Sequence, residues 1–271
     1  MGRLSLIHVD AFTNRIFGGN AAAVCVLSEP CDSLWMQHLA RETHLPATVF
    51  LWPQETGYSI RWFTPSQELS LCGHGTLAAA HTLWTEGYVP AGQAIALHYQ
   101  AGELTAERNG EWIEMDFPAT RVTPSPAPTN LLQGLGIAPC YVGRSAHSYL
   151  VELNSESEVR GLMPDIAAFA QLDTARVIVT GRATGAGFDF VSRFFAPGLG
   201  IAEDAVTGSS HCVLAPYWAE RLDKKDMVGY QASARGGIVR VRVQGDRVTL
   251  GGQAVTVVRG ELADGAVQAV G

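Results

Sequence analysis

Charge is scarce in this chain. Of its 271 residues, 17% are Asp, Glu, Lys or Arg, and the net charge is −7. That balance argues against nucleic acid or an anionic membrane as partner. No apolar run is long enough to span a bilayer. The opening stretch MGRLSLIHVDAF lacks the apolar segment of a signal peptide, and Leu6 stands where myristoylation wants Ser or Thr. The five cysteines, Cys25, Cys31, Cys72, Cys140 and Cys212, are odd in number and none has CxxC spacing. This argues against a zinc site of that kind and against a disulfide framework. A cytoplasmic setting is the expectation. Cys25, in the strand-like AAAVCVL, and Cys212, in a helix, read as inert core thiols. What remains is an ordinary globular composition, 47% hydrophobic, with length for one large domain or two smaller ones.

What is present is a doubled pattern. Residues 63–84 read FTPSQELSLCGHGTLAAAHTLW and residues 194–218 read FFAPGLGIAEDAVTGSSHCVLAPYW. At an offset of 135, Glu68 corresponds to Glu203, Cys72 to Thr207 and Gly73 to Gly208. The same offset relates Gly102, which opens GELTAERNGEWIEMDF, to Gly237, which opens GIVRVRVQGDRVTLGG. Both segments alternate like paired strands, with Asn109-Gly110 and Gly245-Asp246 as the hairpin turns. Two coincidences at one offset favour internal duplication. The segment PATRVTPSPAPTN, residues 118–130, carries four prolines and reads as a linker. The division predicted is a first domain over 1–117, with 259–271 able to return to it, and a second over 118–258.

The coarse reading is mixed helix and strand. Strands are predicted at 4–10, 21–27, 47–52, 58–64, 93–99, 102–108 and 111–117 in the first half. In the second they are predicted at 148–153, 176–180, 188–195, 227–233, 238–244, 247–251 and 254–258. Helices are predicted at 32–43, 74–86, 163–171 and 209–222. The helix at 74–86, HGTLAAAHTLWTE, is apolar on most faces and is therefore buried, with sheet around it.

The chemistry concentrates where the two buried helices begin. A thiol at Cys72 meets the free N–H groups and positive dipole end of the helix after Gly73, which favour the thiolate. The same N–H groups suit a carboxylate or a developing enolate; the plainer reading is a small buried cysteine at a Gly turn. Asp204, Thr207, Gly208 and Ser209 surround the second helix start, either as a site or as a simple N-cap. His74 reads as a substrate contact, an orienting partner of Asp204 or a cap. Asn20, after Gly18-Gly19, reads as a substrate contact or a turn residue. Arg235, before the second hairpin, reads as a carboxylate ligand or a solvated hairpin end.

On VDAFTNRIFGGNAAAV (9–24), RWFTPSQELSLCGHGTLAAA (61–80) and GIAEDAVTGSSHC (200–212), the chain resembles the PhzF family of phenazine-biosynthesis-like isomerases. That family lies within the wider diaminopimelate-epimerase and proline-racemase fold. The resemblance covers nearly the whole chain. It implies an α+β protein of two similar domains, each a β-barrel-like sheet around a central helix, with the active site in the cleft. It further implies a homodimer that uses no cofactor or metal. Carried over, it implies roles for His74, Asp204 and Ser209, and for the backbone at Gly73 and Gly208. The family's proton-shuttling glutamate falls at Ala47 here, with Glu42 as a substitute only through a loop shift. In the epimerases and racemases two cysteines are the paired bases. Here the pair is Cys72 and Thr207, a combination that resembles the hydroxyproline dehydratases. A threonine hydroxyl is too weak an acid to match a thiol, so one-base chemistry by Cys72 or Asp204 is expected.

The function expected is therefore a cofactor-independent isomerase or epimerase that moves a proton on a small carboxylic acid bound between the domains. Cys72, Asp204 and His74 are the catalytic candidates. Gly73, Gly208, Ser209, Thr207 and Asn20 are the binding candidates. The alternatives are a one-base lyase or dehydratase, and a small-molecule binding protein that lost the family glutamate. Cysteine hydrolysis ranks last, because the duplication has no role in it.

Overall fold

The computed structural model describes residues 4–185 and 187–263. The chain divides into two compact units. The first takes residues up to Asp116 and again from Gly251, and the second takes Phe117–Leu250. No helix among the described residues is long and apolar enough to cross a membrane.

In the first unit, β1 (Ser5–Ala11) runs antiparallel to β2 (Asn20–Val26). Helix α1 (Ser33–Thr43) then carries the chain to β3 (Ala47–Pro53), which is parallel to β2. Such a crossover suits a helix, because parallel neighbours cannot be joined by a tight turn. The Asp32 carboxylate caps α1 by accepting from the N–H groups of Leu34 and Trp35. β4 (Tyr58–Phe63) lies antiparallel to β3 and to the short β5 (Glu68–Leu69). After α2 (Gly73–Thr85), β6 (Ile95–Tyr99) returns parallel to β4. β7 (Gly102–Asn109) and β8 (Trp112–Pro118) complete an antiparallel meander.

Strand alternation puts the two helices of this unit on opposite sides of β3. Phe50 faces α1, where it packs with Trp35, Met36 and Phe63. Val49 faces α2, with its Cγ2 only 3.0 Å from where a Cβ on Gly75 would stand. Helix α2 packs on β1, β2 and β3, and ten of its thirteen residues are buried. That accounts for its sequence: with sheet around it, no polar face is needed.

The second unit opens with β9 (Thr123–Pro124), α3 (Thr129–Leu135), β10 (Tyr141–Arg144) and β11 (Tyr149–Glu152). Two short helices, α4 (Glu156–Gly161) and α5 (Ile166–Ala170), lead to β12 (Val177–Arg182). Then come β13 (Phe190–Ala196), β14 (Ile201–Asp204), α6 (Gly208–Leu222), β15 (Asp226–Gln231), β16 (Gly237–Gln244) and β17 (Arg247–Gly252). The pairing order repeats that of the first unit. β10 is antiparallel to β11, and β11 is parallel to β12. β12 is antiparallel to β13, which is parallel to β15 across α6, and β15 is antiparallel to β16. The core gathers Leu131, Leu135, Val151, Phe169, Val179 and Phe195.

Two expectations change. The proline-rich stretch 118–130 is not a free linker: Thr123 and Pro124 pair with β10, and α3 begins at Thr129. Residues 251–258, expected in the second domain, belong to the first unit. There β18 (Ala254–Glu261) pairs antiparallel with β1. The physical reason is the open edge that β1 would otherwise present, since unpaired strand edges need a partner. Residues 264–271, part of the segment expected to return, lie outside the described residues.

Candidate functional site

Each unit places one group of the candidate residues at the start of its buried helix. In the first, Cys72 has extended backbone and its side chain does not cap α2. Its Sγ lies 3.5 Å from Nδ1 and 3.8 Å from Nε2 of His74, and both residues are buried. Thr76 secures the turn by donating its hydroxyl to the Cys72 carbonyl at 2.7 Å. Gly75 is required by space. A Cβ there would come within 2.9 Å of Trp62 Cδ1 and 3.1 Å of Cys72 Sγ. The indole Nε1 of Trp62 is buried and has no hydrogen-bond partner among the described residues. Asn20 is not a turn residue: it is the first, fully buried residue of β2, opposite Ala11.

The Ala47 position is buried at the start of β3 and shares the face of Val49, which meets α2. An acid at 47 would point toward that helix; this chain has a methyl group there. Glu42 is exposed near the end of α1 and belongs to a different element.

In the second unit the simple N-cap reading of Thr207 fails, because its side chain makes no cap bond to α6. The Thr207 hydroxyl instead donates to Asp204 Oδ2 at 2.5 Å. Asp204 is half-buried at the end of β14, Gly208 is buried, and Ser209 is exposed on the first turn of α6. Ser210 donates its hydroxyl to the Thr207 carbonyl at 2.8 Å, and His211 Nδ1 lies 2.8 Å from the same oxygen. His211 is wholly buried, which pulls its pKa down to about 4 and keeps the ring neutral. Nδ1 must therefore be its protonated nitrogen.

The neighbouring acid Glu203 is not a free base. Arg193 grips it bidentately at 2.7 and 2.8 Å, and Arg61 grips Glu68 in the same way at 2.7 Å for both bonds. Each guanidinium also stacks on a phenylalanine two residues later, Arg61 over Phe63 at 5.1 Å and Arg193 over Phe195 at 5.0 Å. Sequence reasoning missed this pair, although RWFTP and RFFAP both stand in the chain. Their offset is 132, not 135, because three extra residues separate Arg193 from Glu203. Arg235 is exposed in the loop after β15. Cys25 is buried and its thiol is pushed up to about 12 by that burial, which leaves it chemically inert. Among the described residues, no three His, Cys, Asp or Glu side chains are grouped to hold a metal ion.

The chain is similar to known proteins along almost its whole length. An uncharacterized isomerase of Halalkalibacterium halodurans is 51% identical over 255 residues, covering 94% of this chain and 96% of that protein. A crystal structure of a PhzF-family phenazine biosynthesis protein from Enterococcus faecalis superposes with a TM-score of 0.91 at 36% identity, covering 97% of this chain and all of that one. A probable proline racemase of Agrobacterium radiobacter shares the fold, with a TM-score of 0.66 at 13% identity over 97% of this chain and 95% of its own. The family model described as phenazine biosynthesis-like protein matches residues 9–260. With the doubled helix-start motif, the repeated strand order and these likenesses in place, the chain belongs to the PhzC-PhzF family of phenazine biosynthesis-like proteins.

Proposed function

We propose that the protein is a cofactor-independent isomerase that moves a proton on a small carboxylic acid, with Asp204 as its acid–base group. The observation that carries this reading is the Asp204 carboxylate, held by the Thr207 hydroxyl just before the start of α6, which the Thr207 side chain does not cap. Relatives named as isomerases support the reaction class. A carboxylate at that place takes a proton from carbon. The negative charge that develops on the substrate is met by first-turn N–H groups, such as those of Gly208 and Ser209. The same carboxylate then returns the proton to a second carbon on the same face. A 1,3-shift of this kind needs one base, whereas racemisation needs one on each face. The choice follows from Ala47 and Thr207, which supply neither the family glutamate nor a second thiol.

Cys72 is assigned to the same reaction because it occupies the matching place in the doubled motif. The Nδ1 of His74 lies 3.5 Å from the Cys72 sulfur, within reach of a shared proton. Gly73, Ser209, Thr207 and Asn20 complete the proposed binding set. The duplication itself, and assembly as a homodimer, are carried with this proposal; sedimentation reads the second.

The test is deuterium incorporation from heavy water into a panel of small unsaturated, amino and hydroxy acids. Wild-type protein exchanges at one or more carbons. Asp204→Asn loses about 10²- to 10⁴-fold of the rate, the usual contribution of a positioned acid–base group. Calorimetric binding of a panel member without any exchange would instead establish the alternative, a binding protein in which Ala47 marks a lost activity. Unchanged exchange in Asp204→Asn with loss in Cys72→Ala would move the base to Cys72. A double-mutant cycle on the two positions checks the shared reaction, since groups acting as a unit are non-additive.

A further inference from the structure

We infer that Gln231 is the positioning residue of the Asp204 half-site: its carboxamide clamps the 204–207 turn at both ends and relays a hydrogen bond into the Asp204 carboxylate. The inference deepens the isomerase reading and rests on it for its catalytic meaning.

Gln231 is the last residue of β15 and is fully buried. Its Oε1 accepts from the Thr207 N–H at 2.9 Å. Its Nε2 donates to the Asp204 carbonyl at 2.8 Å and to Thr207 Oγ1 at 3.3 Å. An N–H only donates and a C=O only accepts, so these two backbone groups fix which way the amide points. The relay follows. Thr207 Oγ1 accepts from Gln231 and spends its single proton on Asp204 Oδ2. Two residues on, Ser233 adds a second strap by donating its hydroxyl to the Ala205 carbonyl at 2.7 Å, and it accepts from the Gly236 N–H at 3.1 Å.

The first unit shows what this position looks like without the clamp. Matching Arg61 to Arg193 aligns β4 with β13, and the parallel registers Tyr58↔Leu97 and Phe190↔Gly229 then align β6 with β15. Gln231 is thereby matched by Tyr99, which packs edge-on against Trp62 at 5.7 Å between ring centroids. A buried primary amide in one unit and a phenol in the other is a difference of chemistry on a shared frame. The amide stands in the unit that holds the carboxylate.

Three variants test the role: Gln231→Met, near in shape and without the hydrogen bonds; Gln231→Glu, which keeps the acceptor, loses the donor and adds charge; and Thr207→Val, which cuts the relay and leaves Gln231 in place. The readout is the ¹³C carboxylate resonance of Asp204 in aspartate-labelled protein at one fixed neutral pH, assigned by loss of its signal in Asp204→Asn, with no ligand present. Gln231→Met, Gln231→Glu and Thr207→Val each remove or weaken the hydrogen bond the carboxylate accepts, so each should shift that resonance. In the exchange assay, kcat falls with KM held. An Asp204 resonance unchanged in folded Thr207→Val and in either folded Gln231 variant overturns the inference. A shifted resonance in a protein that moves no proton on any acid upholds the clamp and overturns the isomerase reading alone.

Discussion

At the scale of single residues, two positions govern what the half-sites can be. Gly75 is surrounded on three sides, by Trp62, Val49 and Cys72. Gly75→Ala should cost about 1–3 kcal/mol, the usual penalty for overpacking a filled core. Urea unfolding measures it, and a neutral result would mean that α2 can slide. His211 is the second position. Its folded pKa of about 4 lies below its ordinary 6.5. Between those values the unfolded chain binds a proton that the folded one refuses, so this stability is complete above pH 6.5 and drains away as pH falls toward 4. From pH 7 to pH 5 the loss from this group is about 2 kcal/mol. His211→Gln removes the titration, so its unfolding free energy should fall less steeply with acid by that amount. An identical acid slope in the two proteins would show that another group carries the effect.

At the scale of elements, the two Arg–Glu pairs tie β4 to β5 and β13 to β14, just ahead of the helix starts. They differ in burial. The side chains are 25% and 43% exposed for Arg61 and Glu68, against 12% and 25% for Arg193 and Glu203. Arg193 also donates to the carbonyls of Val159 and Leu162. Arg61→Met should therefore cost about 1 kcal/mol and Arg193→Met about 3 kcal/mol. Equal losses in thermal or urea unfolding would sink the argument from burial. Much at this scale was legible beforehand. The hairpins β7–β8 and the helices α1, α2 and α6 announce themselves through alternation, turn glycines and apolar runs, all of which act over a few neighbouring residues. The short elements β5, β9, β10, β14, α3 and α4 did not, because two to seven residues are too few to establish a period. Their pairing partners hold them in place.

At the scale of the whole molecule, β18 is the element whose place in the chain least suggests its place in the fold. A chain ending at Gln253 removes it and leaves one edge of β1 bare. Amide exchange should then accelerate in β1 while β11, β12 and β13 keep their protection; equal acceleration in both units would contradict the division between them. The motif residues Cys72, Gly73, His74, Thr207, Gly208 and Ser209 were legible because each set is contiguous and sits at a helix start. Gln231 was not, since nothing near it in sequence marks it, and its partner Thr207 is 24 residues away. Arg193 was hidden by a three-residue change of offset. What the sequence by itself determined are the local elements, the doubled helix starts and the family, because hydrophobic period, turn chemistry and helix-start residues are read over short spans. What only the tertiary structure decided is which strand closes the edge of β1, which acid is already taken by an arginine, and which buried amide holds Asp204. Those outcomes depend on register between distant strands and on where buried polar groups find partners, and neither is written in any short stretch of the chain.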